Sequence, residues 1–353
     1  LKGKLAIVLL TSLFLASCNR QAQESPVQFN AGDDPHPKLS EYHFFKGPMA
    51  ELKPNDRVLP FELISPLFTD HAKKARFIWM PENVSGTYND STFFGLPHGT
   101  VLIKNFFFPD DFREPESERR IIETRLMVHE PGGWRGLPYI WNDGQTDAYL
   151  RLAGGEKEVQ FIDSYGEEIQ LRYLIPNANQ CQSCHLKDGE MVPIGPQAQH
   201  LNKKFDYDDG TENQLERWYN AGLISNLPDF RSAPAITDYR DHSAPVNLRA
   251  RAYLDINCGH CHNPAGPGKT SGLYLHYQQE NPTALGVYKP PVAAGRGSGG
   301  KQFSIVPGDP ENSILLYRME STEPGVMMPE LGRTIVDKEA VELIRTWIAE
   351  MEF

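Results

Sequence analysis

The chain carries the pentapeptide C-x-x-C-H twice, as Cys181-Gln-Ser-Cys184-His185 and as Cys258-Gly-His-Cys261-His262. Two thiols at this spacing reach the two vinyl groups of one porphyrin, and the following residue places an imidazole under the iron. This is the attachment pattern of c-type haem. The expected cofactors are two covalently attached haem c groups, bound through Cys181, Cys184, Cys258 and Cys261. His185 and His262 are the expected iron ligands. Before the second copy, Leu254, Cys258 and Cys261 fall on one face at helical spacing.

Two other chemistries use the same residues. A zinc cage would need the C-x-x-C pairs close together, whereas these are more than seventy residues apart. A thiol-disulfide oxidoreductase also uses Cys-Gly-His-Cys, but places it between a strand and a helix. Here a helical stretch precedes the motif and Asn263-Pro264-Ala265-Gly266-Pro267-Gly268, which is loop chemistry, follows it.

The remaining cysteine, Cys18, closes a different pattern. Lys2 and Lys4 precede an apolar run from Leu5 to Ser17, which ends in Leu15-Ala16-Ser17-Cys18. A charged start, a short apolar run and a small-residue site describe an export signal, too short to span a bilayer. With Cys at the last position it resembles a bacterial lipobox. Residues 1–17 are then a lipoprotein signal peptide and Cys18 the lipidation site. Asn19 implies sorting to the periplasmic face of the outer membrane, a compartment where c-type haem is attached. Every one of the five cysteines then has a role. The formal charge of −11 argues against nucleic acid as a partner. It fits basic periplasmic redox proteins, and equally an ordinary solvated acidic surface.

Residues 18–57 open with a polar stretch and read as a tether. From Val58 to about residue 180 the pattern is β. Ala75–Met80, Thr100–Phe108, Ile121–Val128, Leu137–Trp141 and Asp147–Leu152 are strand-like runs. Val159/Phe161 and Ile169/Leu171/Tyr173 alternate across Ser164-Tyr165-Gly166, as a hairpin does. Short strands at this spacing predict an antiparallel sheet or sandwich, a mainly-β domain that forms one wall of the first haem pocket. Residues 181–245 hold the first motif, a helix opened by a capping box at Thr211–Gln214, and a linker. Gly295–Lys301 matches a phosphate-loop spacing, but Gln302 replaces the needed hydroxyl, and the segment reads as loop. Asp309 and Asp337 are the expected caps of two further helices. The second carries the apolar stripe Val341, Ile344, Trp347, Ile348 and Met351.

Helix, C-x-x-C-H, loops, helix, Met328-Pro329 and terminal helix follow one another over residues 246–353 in an order that resembles a class I cytochrome c. The resemblance implies an all-α C-terminal domain with Met328 as the sixth iron ligand, Met327 being its alternative. The chain as a whole resembles an uncharacterised family of bacterial dihaem c-type cytochromes. It does so through Gly99–Lys104, Glu123–Leu126, Tyr139–Asn142, Arg249–His262, Ala294–Gly299 and Met328–Gly332. The resemblance implies a lipid-anchored periplasmic electron relay. The β half also resembles cytochromes whose c-haem is cross-linked to a lysine, for which Lys104 is the residue considered. That likeness implies the alternative, a peroxidase-like or related oxidoreductase with chemistry at the first haem. Met191, His98, His129 and His200 are the residues considered for that haem's sixth position.

Overall fold

The structure, a computed structural model, describes residues 26–114, 117–292 and 294–352. The signal peptide and Cys18 lie outside the described residues.

Six strands form one antiparallel sheet in chain order: β1 (Leu59–Phe61), β2 (Lys73–Trp79), β3 (Val101–Pro109), β4 (Arg119–Glu130), β5 (Gly133–Trp141) and β6 (Ala148–Leu150). Each strand pairs with its sequence neighbour, so the sheet is a meander whose register follows from its turns. Both faces are covered. On one face Phe77, Trp79, Val101, Ile103, Leu126, Tyr139 and Trp141 pack against Leu39, Tyr42, Phe44 and Phe45. The stretch expected to be a tether therefore supplies core from Leu39 onward, because its aromatics bury against the sheet. Each such side chain contributes about 1.5–3 kcal/mol by leaving water.

The opposite face carries Arg76, Ile78, Leu102, Lys104, Phe106, Arg125, Met127 and Gly136, as the register requires. Its far end is closed by a hairpin of β7 (Gly155–Ile162) and β8 (Glu168–Ile175). Val159, Phe161, Leu171 and Tyr173 of the hairpin pack on Phe106 and Phe108. Glu123 of β4 is fully buried there, bonded to Arg125 at 2.5 Å and to the Tyr173 hydroxyl at 2.7 Å.

The helices are short: α1 (Gln182–His185), α2 (Ala198–Leu201), α3 (Gln214–Asn220), α4 (Val246–Leu254), α5 (Pro282–Leu285), α6 (Ile314–Glu320) and α7 (Lys338–Ala349). The expected two-part fold, with an all-α class I cytochrome c-like domain over residues 246–353, is not what forms. The chain is mainly β. Between residues 260 and 313 it runs as loops and 3-10 turns around the four-residue α5. The Pro and Gly residues from Pro264 to Gly300 account for this, since they remove donors and favour turns. Two caps also shift. Thr211 lies in a strand, and Asn213 caps α3 by accepting from the Leu215 N–H. Asp309 caps a 3-10 turn, Pro310–Asn312, ahead of α6. Asp337 caps α7 through the Ala340 N–H as expected.

The C-terminal segments lie against the β part. Asp70 accepts from the Thr334 N–H (2.7 Å), the Thr334 hydroxyl (2.9 Å) and the Ile335 N–H (3.1 Å). The Asn257 side chain accepts from the Phe68 N–H at 2.8 Å. No described helix is long and apolar enough to cross a membrane.

Candidate functional site

The two C-x-x-C-H segments fold into the same local turn. His185 N–H donates to the Cys181 carbonyl at 3.0 Å, and His262 N–H to the Cys258 carbonyl at 2.8 Å. Bonds of this i to i+4 kind put both cysteines and the histidine of each motif on one face. Α1 supplies the first turn. The second follows α4 through one π-type turn, Asp255–Gly259.

Each histidine is held by its Nδ1. For His185 the partner is the Val192 carbonyl, 2.8 Å away. A carbonyl only accepts, so Nδ1 carries the proton and Nε2 keeps its lone pair. For His262 the partner is Ser271 Oγ at 3.1 Å. That hydroxyl gives its own proton to the Gly268 carbonyl at 2.7 Å, so it too accepts from Nδ1. Both rings thus offer Nε2, the arrangement in which an outer partner fixes the tautomer of a metal-binding imidazole. Burial pushes both imidazoliums down to about 4, so both rings are neutral at pH 7.

Glycines make room at both turns. A Cβ on Gly136 would stand 3.0 Å from Cys181 Sγ and 3.3 Å from the Met191 methyl. One on Gly266 would meet the Cys261 carbonyl at 2.4 Å.

Cys181, Cys184 and His185 line a cavity of about 180 Å³ on the second face of the sheet. A water needs roughly 10–15 Å³ on this measure, so the space far exceeds the voids of a close-packed interior. Leu63, Leu102, Met127, Met191 and Ile194 make its walls apolar. Tyr253, Ile256 and His260 from the second motif's helix close one side, and Pro329–Arg333 close another.

Three cations face this apolar space in one row. Arg76, Lys104 and Arg125 are register partners on β2, β3 and β4. Like charges directly opposite one another in a sheet repel. Arg125 is answered by Glu123, whereas Nη2 of Arg76 is buried with no hydrogen-bond partner. Lys104 is half-buried and lines the cavity. Desolvation, then the charge of Arg76, holds its ammonium well below the usual lysine value. A row of this kind suits a ligand that brings carboxylates into an otherwise apolar space. A porphyrin with two propionates is such a ligand, and the donor set fits its covalent attachment.

The two motifs also meet. Cys184 Sγ, Cys261 Sγ and a ring nitrogen of His260 lie within 4.8 Å of one another. Cys261 Sγ donates to the Ser183 carbonyl at 3.4 Å, and Asp188 N–H to the Ala265 carbonyl at 2.9 Å. A hydrogen bond between the thiols pulls Cys184 down and pushes Cys261 up. As free thiolates these groups and His260 would suit zinc.

Met328 is half-buried; its N–H donates to the Arg318 carbonyl at 3.0 Å, and its carbonyl accepts from Arg333. The Arg318 charge in turn acts on His262. Met327 is buried. Of the residues considered for the first iron's sixth position, only Met191 lines the cavity. His200 is buried against Asp255 at 3.0 Å. His129 stacks on Trp134 and bonds to the Leu96 carbonyl, with His98 against it. Arg296 pairs with Glu323 at the surface.

Sequence reading missed Arg76, Arg125, Gly136 and His260. A glycine inside a strand pattern marks close backbone approach, and that signal was available for Gly136. Comparison with protein-family models, with curated proteins and with solved structures finds no match to the chain.

Proposed function

We propose that this chain is a two-haem c-type cytochrome that relays electrons. Cys181 and Cys184 hold one haem and Cys258 and Cys261 the other, with His185 and His262 as iron ligands. The observation that carries the reading is the pair of matching turns, each with its histidine fixed through Nδ1 and its Nε2 free. The apolar cavity with its row of cations supports the first site. Attachment adds each S–H across a vinyl double bond, so no atom leaves. Bound haem supplies a one-electron couple; the chain's residues supply the axial imidazoles and the dry, cationic setting that tunes it.

Met328 is the proposed sixth ligand at the second site, from the order of C-x-x-C-H, Met-Pro and terminal helix in the sequence. Lys2, Lys4 and Leu15–Cys18 support lipid anchoring at Cys18, and the net charge of −11 a basic redox partner. A second reading has support from Lys104. A half-buried amine facing the first cavity can move a proton at Nζ, as an oxidoreductase centred there requires. Thiol-disulfide exchange within the second motif is disfavoured, because burial pushes the Cys258 thiol up to about 12.

The test is a pyridine-haemochrome assay and peptide mass mapping after expression with a c-type maturation apparatus. Two haems, one on each cysteine pair, are expected. A haem-free chain with stoichiometric zinc overturns the reading.

A further inference from the structure

We propose that the second cysteine of each motif forms one shared junction, so that the two haems are carried edge to edge as a coupled pair, with His260 as the residue that positions the junction. The proposal rests on the two-haem reading above.

Three observations carry it. First, Cys184 Sγ, Cys261 Sγ and a His260 nitrogen are mutually within 4.8 Å, although the motifs are far apart in sequence. Second, the contact is built rather than incidental. Asp188 N–H, just past the first motif, bonds to the Ala265 carbonyl just past the second at 2.9 Å, a contact that thioether formation leaves intact. Third, the His260 ring is fixed from behind, its Nδ1 against the Ile256 carbonyl at 3.2 Å. His260 also lines the cavity of the first motif while belonging to the second.

A thioether places sulfur one C–S bond from the porphyrin periphery. The two ring edges anchored at Cys184 and Cys261 are then separated by the sulfur contact, within 4.8 Å, and by one C–S and one C–C bond on each side. No side chain other than His260 is required between them. Two such π systems sense each other's charge and spin. Reduction at one site makes reduction at the other harder, and unpaired spins on the two irons interact. The Asp188–Ala265 backbone bond ties the two motifs together, so the coupling belongs to the fold and not to a transient encounter.

The experiment uses the full holo chain with its haem content counted first. Electron paramagnetic resonance of the oxidised protein and a spectroelectrochemical titration follow. We expect broadened signals that integrate to less than the haem count, signals that sharpen in the half-reduced state, and two separated reduction waves. His260→Leu should narrow the wave separation, and His260→Gln, which keeps a polar nitrogen, should restore it. Additive spectra with full spin count and independent waves overturn the proposal while leaving the two-haem reading intact. Fewer than two haems, or a Cys184–Cys261 disulfide in the isolated chain, overturns that reading and this proposal together. An unchanged separation in His260→Leu removes His260 from the junction.

Discussion

Arg76 and Lys104 are register partners on adjacent antiparallel strands, and both side chains face one apolar cavity. Arg125 completes the row on the next strand. In a sheet that had only its own stability to serve, such a row would be a defect.

Lys104→Met therefore separates stability from function. In haem-free chain the substitution should raise stability by about 1 kcal/mol at neutral pH, by removing a desolvated ammonium and, with it, a like-charge neighbour of Arg76. The sign follows from the depressed ammonium. Its folded value lies below the unfolded one, so the penalty is present at neutral pH and fades as pH rises toward the free lysine value. Thermal melts at pH 7 and pH 10 should show the gain shrinking. In holo chain the same variant should shift the first haem's potential and leave the second unchanged.

Gly136→Val should empty one site and spare the other. The added Cβ would stand 3.0 Å from Cys181 Sγ. Overpacking of this kind costs about 1–3 kcal/mol. The measured haem content should fall from two to one, with peptide mapping finding the remaining haem on Cys258 and Cys261. Loss at the second pair instead would refute the placement of Cys181 against β5.

Acid should weaken haem-free chain over a defined window. His185 and His262 have folded values of about 4 against 6.5 in the free residue. As pH falls through 6.5 the unfolded chain takes up protons that the folded chain refuses. Stability is thus full above 6.5, declines toward pH 4 and levels below it. The difference between the two values is worth ~3 kcal/mol per histidine. Urea titrations across this range should show the decline, and His185→Phe should remove about half of it.

Met328→Ala should open the second iron to carbon monoxide and lower its potential, since a thioether ligand favours the reduced metal. A carbon monoxide difference spectrum reads this directly. If the second haem is unchanged, Met327 is the next residue to substitute.

The strands were legible because aromatic and β-branched residues alternate along them, and α7 was legible from its cap and apolar stripe. The cation row was not. Arg76, Lys104 and Arg125 lie on different strands, and only the pairing register brings them opposite each other. The C-terminal part was misread for a related reason. Its helices and motifs follow a familiar order, but the Pro/Gly-rich stretch between them folds as loops, and Asp70 and Asn257 tie it to the β part. Motif order constrains ligands more than it constrains architecture. The meeting of Cys184 with Cys261 depends on that tertiary arrangement and leaves no local mark.

The cavity wall draws on chain from Phe61 to Arg333. Nearly the whole polypeptide must be in place before the wall is complete, and once complete it encloses the sulfurs of the first motif. On the two-haem proposal, a rigid macrocycle would have to be loaded while the C-terminal segments are still open. The order of assembly would then be cofactor first, closure second. A chain that closes early would instead trap Cys184 beside Cys261, two thiols poised for each other. On the two-haem proposal, biogenesis would be a race between haem delivery and folding, with the Pro329–Arg333 turn among the segments that close the entrance.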